Sequence, residues 1–383
     1  MSIYLDHAAT SPLRPEVMEA MEALLTSGLG NASSRHAFGR RAAGVLEDAR
    51  ERVARTLGAA PDEIVFVRGG TEGDNLAVLG RGLHALRHPG PLRPAALVSA
   101  IEHPAVLAAA RALSTFGGGH TCLTVHASGR LDSDQLDAAL AANPAVVSVQ
   151  WVNNETGLLL PVSEVVERAA PAGVPVHTDA VQAAGKVAVR VDKVPVDLLT
   201  LTGHKLGGPM GVGALFVRRG VELEPLLYGG GHERGMRPGT SDVVGALGLA
   251  VALERSVEAL PEQAVRWHGL RERLDAGVRE LVADRVVHGG QGARAPHIHN
   301  VGLPRVDADA LLAGLDLEGV AVSGGSACAS GSGRGSHVLE ALYGDAQDRA
   351  ALRFSFGPDT DEDDIDGALA ALTRVLARLG VGS

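Results

Sequence analysis

From about residue 15 to about residue 255, short β-branched runs alternate with longer alanine-rich stretches. The runs at 64–67, 96–100, 121–125, 146–152, 174–177 and 196–201 have the length of strands. The stretches between them have helical length and spacing. Such alternation restricts the fold class to α/β, with a mostly parallel mixed sheet and helices on both faces. A further run at 213–217 belongs to the same sheet, in an orientation that the sequence leaves open. The remainder differs: a long helical stretch near 241–281, short runs near 297–301 and 353–356, and a last helix near 361–379. These give a smaller α+β domain. The expected division is a large domain at 15–255, and a small one made of 1–14 and 256–383 that carries a glycine-rich loop at about 323–336.

Composition narrows the function classes. Aromatics are 3% of 383 residues, so the core must be built from Ala, Val and Leu. The 49 glycines imply many tight turns. A net charge of −10 opposes nonspecific nucleic-acid binding. Two cysteines exclude a disulfide scaffold and form no metal-spaced set. No run of 18 apolar residues suggests a membrane span, and the start lacks the pattern of a secretory signal. The expectation is a cytoplasmic protein with no metal site, no direct nucleic-acid contact and no membrane.

In α/β sheets, ligands bind beyond the carboxyl ends of the strands. Five strand ends here lead into polar residues: Arg68-Gly69-Gly70-Thr71, Glu102-His103, Asn153-Asn154-Glu155, Thr178-Asp179 and Thr202-Gly203-His204-Lys205. A lysine beside a sheet crevice can be desolvated and bond an aldehyde. Pyridoxal phosphate is the aldehyde whose needs match, because its pyridine nitrogen requires a carboxylate. Asp179 can supply one, or can simply cap a helix. Gly69-Gly70-Thr71 opens a helix whose N–H groups can face a phosphate, although a plain N-cap reads equally well. His103 can cover a ring, shuttle a proton or sit in a turn. Cys328 lies in a polar, glycine-rich segment where burial is not expected, so its thiolate is a candidate nucleophile. Cys122 sits in a strand-like run and reads as structural.

An ordered series of segments runs nearly end to end. It includes Tyr4-Leu5-Asp6-His7-Ala8-Ala9-Thr10, Gly30-Asn31-Ala32-Ser33-Ser34, Glu102-His103-Pro104, Asn153-Asn154-Glu155-Thr156-Gly157, and His177-Thr178-Asp179-Ala180 with Gln182. Gly203-His204-Lys205, Gly239-Thr240, Ser326-Ala327-Cys328 and Arg353-Phe354-Ser355 follow. In this series the chain resembles the cysteine desulfurases, which are pyridoxal phosphate enzymes of fold type I (aspartate-aminotransferase-like) in the class V aminotransferase group.

The resemblance implies roles. Lys205 matches the lysine that bonds the cofactor. His103 matches the histidine over the ring, Asp179 the carboxylate at the pyridine nitrogen, and Gln182 the contact to the ring hydroxyl. Gly70, Thr71, Thr202 and His204 match phosphate-side groups, and Thr240 is the family's phosphate contact across a homodimer interface. Asn31, Asn154 and Arg353 match the holders of the substrate carboxylate. Cys328 matches the nucleophile that takes sulfur from L-cysteine as a persulfide, leaving L-alanine. Its surroundings resemble the long-loop branch that works in cluster assembly. The implied acceptor is a protein such as an iron–sulfur scaffold or a tRNA-thiolation relay protein. A selenocysteine lyase or another class V aminotransferase is the alternative; a non-enzymatic scaffold would need no reactive lysine. The chain departs from the family where Gly70 replaces a common alanine, His7 and Asp74 a common asparagine each, Met210 a common basic residue, and Pro238 a common serine; Asp74 and Met210 are expected to alter surface contacts, including those to an acceptor protein.

Overall fold

The computed structural model describes residues 2–324, 335–344 and 349–381. A seven-stranded sheet runs in the order Ile64–Val67, Gly213–Val217, Leu198–Thr202, Val176–Asp179, Pro144–Ser148, Arg93–Ser99, Gly119–Leu123. Gly213–Val217 is antiparallel to both neighbours, while the other pairs are parallel. The reason is the short link at 203–212, because a parallel return needs a crossover of a dozen or more residues. The mostly parallel α/β sheet expected from the alternation is therefore present.

Strand pleating sends alternate residues to opposite faces. Ile64, Phe66, Leu97, Leu199 and Leu201 enter one buried cluster. Val65, Val67, Val98, Leu198 and Leu215 enter another on the opposite face. Helices cover both, as a parallel sheet buried on two sides requires.

A second, three-stranded antiparallel sheet has the order Arg349–Ser355, Ile298–Pro304, Val286–Val287. It packs on its own cluster, which includes Trp267, Leu274, Leu303, Leu352, Phe354 and Leu372. The N-terminal strand Ile3–Tyr4 pairs in parallel with Val320–Ala321, and Asp6 bridges Ser355. The helix Val243–Leu281 is 39 residues long and serves both cores. Ala246, Leu249 and Leu253 lie in the first cluster, and Trp267, Leu270 and Leu274 in the second. The residue 255/256 division falls inside this helix.

Two elements differ from the sequence expectation. The run at 146–152 is a strand only at Pro144–Ser148. Past Ser148 the Gln150 N–H donates to Glu102 Oε1 at 2.8 Å, so a side chain replaces the Arg93–Ser99 partner, while the Val149 and Trp151 N–H groups still donate to the His177 and Asp179 carbonyls. The helix expected at 71–86 is Gly70–Asn75 and Arg81–Arg87, joined through a π-helical turn at Leu76–Gly80.

Candidate active site

Asp179 and Thr202 are the last residues of adjacent strands. The Gly203–Lys205 turn follows Thr202 and delivers Lys205 to the carboxyl end of the sheet. His103 caps the helix Pro104–Thr115, with Nδ1 accepting from Ala105 N at 3.2 Å. Lys205 Nζ donates to Ala8 O at 2.6 Å and to Ala9 O. Gln182 Nε2 donates to the same Ala8 carbonyl at 2.8 Å. The N-terminal segment thus ties together two side chains from separate parts of the sheet.

The electrostatics follow from burial. Burial pushes the Asp179 carboxyl up, while His103, the Val181 N–H at 2.8 Å from Oδ1, and Lys205 pull it back. Burial lowers His103 below the usual imidazole value against the pull of Asp179, which leaves the ring neutral near pH 7. Burial, with Lys205 and Lys186 adding to it, holds His204 at about 4. Lys186 is itself pushed down to about 7, first by burial and then by the Lys205 charge.

Gly69 has φ 142° and ψ −176°, a region open essentially to glycine alone. This turn starts the helix at Gly70 and leaves an open cleft lined by Gly69, Gly70, Thr71, Thr202 and His204. A Cβ on Gly70 would meet Val181 Cγ2 at 3.0 Å, so Val181 occupies the space of the family's common alanine methyl. The Thr202 hydroxyl donates to Val212 O at 3.0 Å, and His204 Nδ1 lies 3.2 Å from Thr10 Oγ1. Arg237 Nε donates to Glu72 Oε1 at 3.0 Å, which pins the loop leading to exposed Thr240 against the same helix start.

Arg353 Nη1 donates to Asn154 O at 2.8 Å, so these two expected substrate holders meet through the Asn154 main chain. Asn31 is exposed, and its Oδ1 accepts from Ser33 N at 2.9 Å. Cys328 lies outside the described residues. On one side of it Ser323 exchanges backbone bonds with Arg353, at 3.2 and 2.7 Å. On the other, Ser336 Oγ donates to Glu155 Oε2 at 2.5 Å, and His337 Nε2 lies 3.0 Å from Glu102 O, next to His103.

The class-V aminotransferase family profile matches residues 3–367. A cysteine desulfurase from Gluconacetobacter diazotrophicus is 42% identical over 99% of this chain and 94% of its own length. The cysteine desulfurase NifS of Azotobacter vinelandii is 39% identical over 98% of this chain and 93% of its own. The chain belongs to the cysteine desulfurase family. A solved NifS-like protein superposes with a TM-score of 0.91 at 32% identity, covering 99% of this chain and all of that one. The fold is accordingly that of the fold type I pyridoxal phosphate enzymes, and the cysteine desulfurases as a family imply that cofactor.

The residues present fit it. Pyridoxal phosphate asks for an amine, an anion at its ring nitrogen, a flat cover and donors for a phosphate. Buried Asp179 has half-buried, neutral His103 within 4.8 Å and the half-buried Lys205 charge acting on it, and the glycine turn at Gly69 opens the adjoining cleft.

Sequence reasoning missed the polar layer beneath these groups. His177 and Asp179 stand two apart on one strand and so share a face. His177 Nδ1 lies 2.8 Å from Ser148 Oγ, and Nε2 lies 3.0 Å from Thr200 Oγ1, all buried. The period-2 pattern from Asp179 back to His177 was the available signal. Asp74, Glu102 and Lys186 are also buried here, and only contacts distant in sequence reveal them.

Proposed function

We propose that this chain is a pyridoxal phosphate-dependent cysteine desulfurase that converts L-cysteine to L-alanine and passes the sulfur to an acceptor protein. The observation that carries the reading is that half-buried His103 and Lys205 both face buried Asp179 at the sheet's carboxyl end, in a chain related to desulfurases over almost its whole length.

Lys205 would hold the cofactor, and Asp179 would supply a negative charge for its ring nitrogen. His103 would cover the ring, Gln182 would meet its hydroxyl, and Gly70, Thr71, Thr202 and His204 would hold the phosphate. Bound pyridoxal phosphate supplies an electron sink for the substrate's Cα. The Lys205 amine, when free, would move a proton at that carbon, since its turn holds it at the sheet's carboxyl end. Arg353, Asn154 and Asn31 hold the substrate carboxylate. The Cys328 thiolate attacks the substrate sulfur. An S–S bond forms, the C–S bond breaks with its electron pair left on carbon, and that carbon takes a proton and departs in alanine. Contacts from Ser323 to Arg353 and from Ser336 to Glu155 support this role, because both flanks of the Cys328 segment attach beside the proposed site.

The proposal includes a homodimer in which Thr240 reaches the partner's phosphate site. It divides the chain into a large domain (15–255) and a small one (1–14 and 256–383), and places the protein in the cytoplasm. No helix among the described residues is long and apolar enough to cross a membrane.

The deciding experiment measures alanine and sulfide formed from cysteine. Wild type should make both, with a visible absorption band that borohydride bleaches. Cys328→Ala should keep the band and lose desulfurase turnover. A colourless chain unable to take up the cofactor, or a C328A variant as active on cysteine as wild type, would overturn the reading.

A further inference from the structure

Asp74 lies on the helix Gly70–Asn75, directly behind the proposed phosphate turn, and is 1% exposed. Both of its carboxyl oxygens are buried without a hydrogen-bond partner among the described residues. One of them lies within 4.8 Å of an Asp179 oxygen and of a His103 ring nitrogen. The nearest histidine of the sheet, His177, approaches Oδ1 at 3.7 Å, but its Nε2 is already engaged with Thr200. Burial holds His177 down at about 3, so it brings no positive charge.

We propose that Asp74 carries a proton rather than a charge in the folded chain, and is a positioning residue that leaves Asp179 as the carboxylate of the cofactor pocket. A buried carboxylate relieved only by the nearby Thr200 hydroxyl is costly, and two carboxyls this close do not both ionise. The charge goes to the better-supported member. Asp179 has the Val181 N–H, His103 and Lys205 facing it. Asp74 faces Asp179 and His177 from the Val176–Asp179 strand, Glu102 and His103 from the start of the Pro104–Thr115 helix, and Thr200 from the Leu198–Thr202 strand. Two of those neighbours are acids, and none of them is a lysine or an arginine. Burial first, then Asp179, pushes its carboxyl well up, with partial relief from Thr200. Glu102 is pushed up by burial to about 8, so it too is mainly neutral at pH 7. A single charge on Asp179 suits a protonated ring nitrogen. That part of the inference rests on the desulfurase reading; the protonation of Asp74 does not.

The test is thermal and denaturant unfolding of the full-length chain, wild type against Asp74→Asn, from pH 5 to pH 9, with and without added pyridoxal phosphate. A carboxyl whose folded value is raised makes the folded state hold the extra proton, so wild type loses stability as pH rises. The D74N variant has no such titration. The unfolding constant of wild type should rise relative to D74N by about tenfold per pH unit until Asp74 ionises. Parallel curves, or a D74N variant that loses ground as pH rises, would overturn the proposal. Asp74→Ser removes the same carboxyl and reads the same slope if D74N fails to fold. Cofactor uptake is scored separately by the visible band. A chain that never takes up pyridoxal phosphate sinks the desulfurase reading while the Asp74 slope remains readable.

Discussion

Arg353 Nη2 lies 2.8 Å from Asp6 Oδ1, which joins the three-stranded sheet to the first turn of the chain. The arginine side chain is 2% exposed and the aspartate 20%, so the pair is largely sheltered from water. The same guanidinium reaches Asn154 O, on the loop beyond the large sheet's Pro144–Ser148 strand. Three remote parts of the sequence meet at one side chain.

Removing one partner should therefore cost more than a surface pair does. Breaking a fully buried pair costs about 3–5 kcal/mol, and Asp6's partial exposure lowers this to about 2–3 kcal/mol for D6A at pH 7. Urea unfolding measures it. A loss below about 0.5 kcal/mol would place the pair with ordinary surface bridges.

Lys186 Nζ donates to Gln182 Oε1 at 3.3 Å, which turns the Gln182 amide nitrogen toward Ala8 O. Its folded value of about 7 is below the unfolded lysine value of about 10.4. Between those values the unfolded chain binds more protons, so the folded state gains stability as pH rises. K186M lacks this titration. It should gain most on wild type at pH 7 and below, with the advantage shrinking toward pH 10. Melting curves at pH 6, 8 and 10 test the trend; a gap independent of pH would show that Lys186 stays charged in the fold.

Gly69→Ala has open space for its methyl, since the nearest atom is Thr202 Oγ1 at 3.7 Å. The cost is therefore backbone strain at φ 142°, about 1–3 kcal/mol. The strain sits in the turn proposed for the phosphate, so cofactor affinity should fall as well. Equilibrium dialysis with pyridoxal phosphate measures this. Unchanged affinity would separate the turn from cofactor binding.

Lys205→Ala should abolish the borohydride-reducible band and lower cysteine turnover by about 10²–10⁴. Lys205→Arg should fail similarly, because a guanidinium does not give up its proton. Retention of the reducible band in both variants would move the cofactor bond to another lysine.

The α/β alternation and the polar residues at the strand ends were legible in the sequence, because each depends on local pattern or on residues close in the chain. Hydrophobic period and turn residues choose strands and helices locally. The reversed strand Gly213–Val217 was not, since its direction depends on what a ten-residue link can span in space. Nor was the loss of the Arg93–Ser99 partner past Ser148, where the Glu102 side chain arrives from beyond that strand. That Asp74, Glu102 and Lys186 are buried is not visible in the sequence. Burial and neighbouring charge decide their protonation and partners, and both arise only when segments far apart in the chain pack together. The sequence by itself determined the class of fold and supplied the candidate groups. The tertiary structure decided which of those groups are desolvated, paired or neutral, because dielectric and distance are properties of the packed chain.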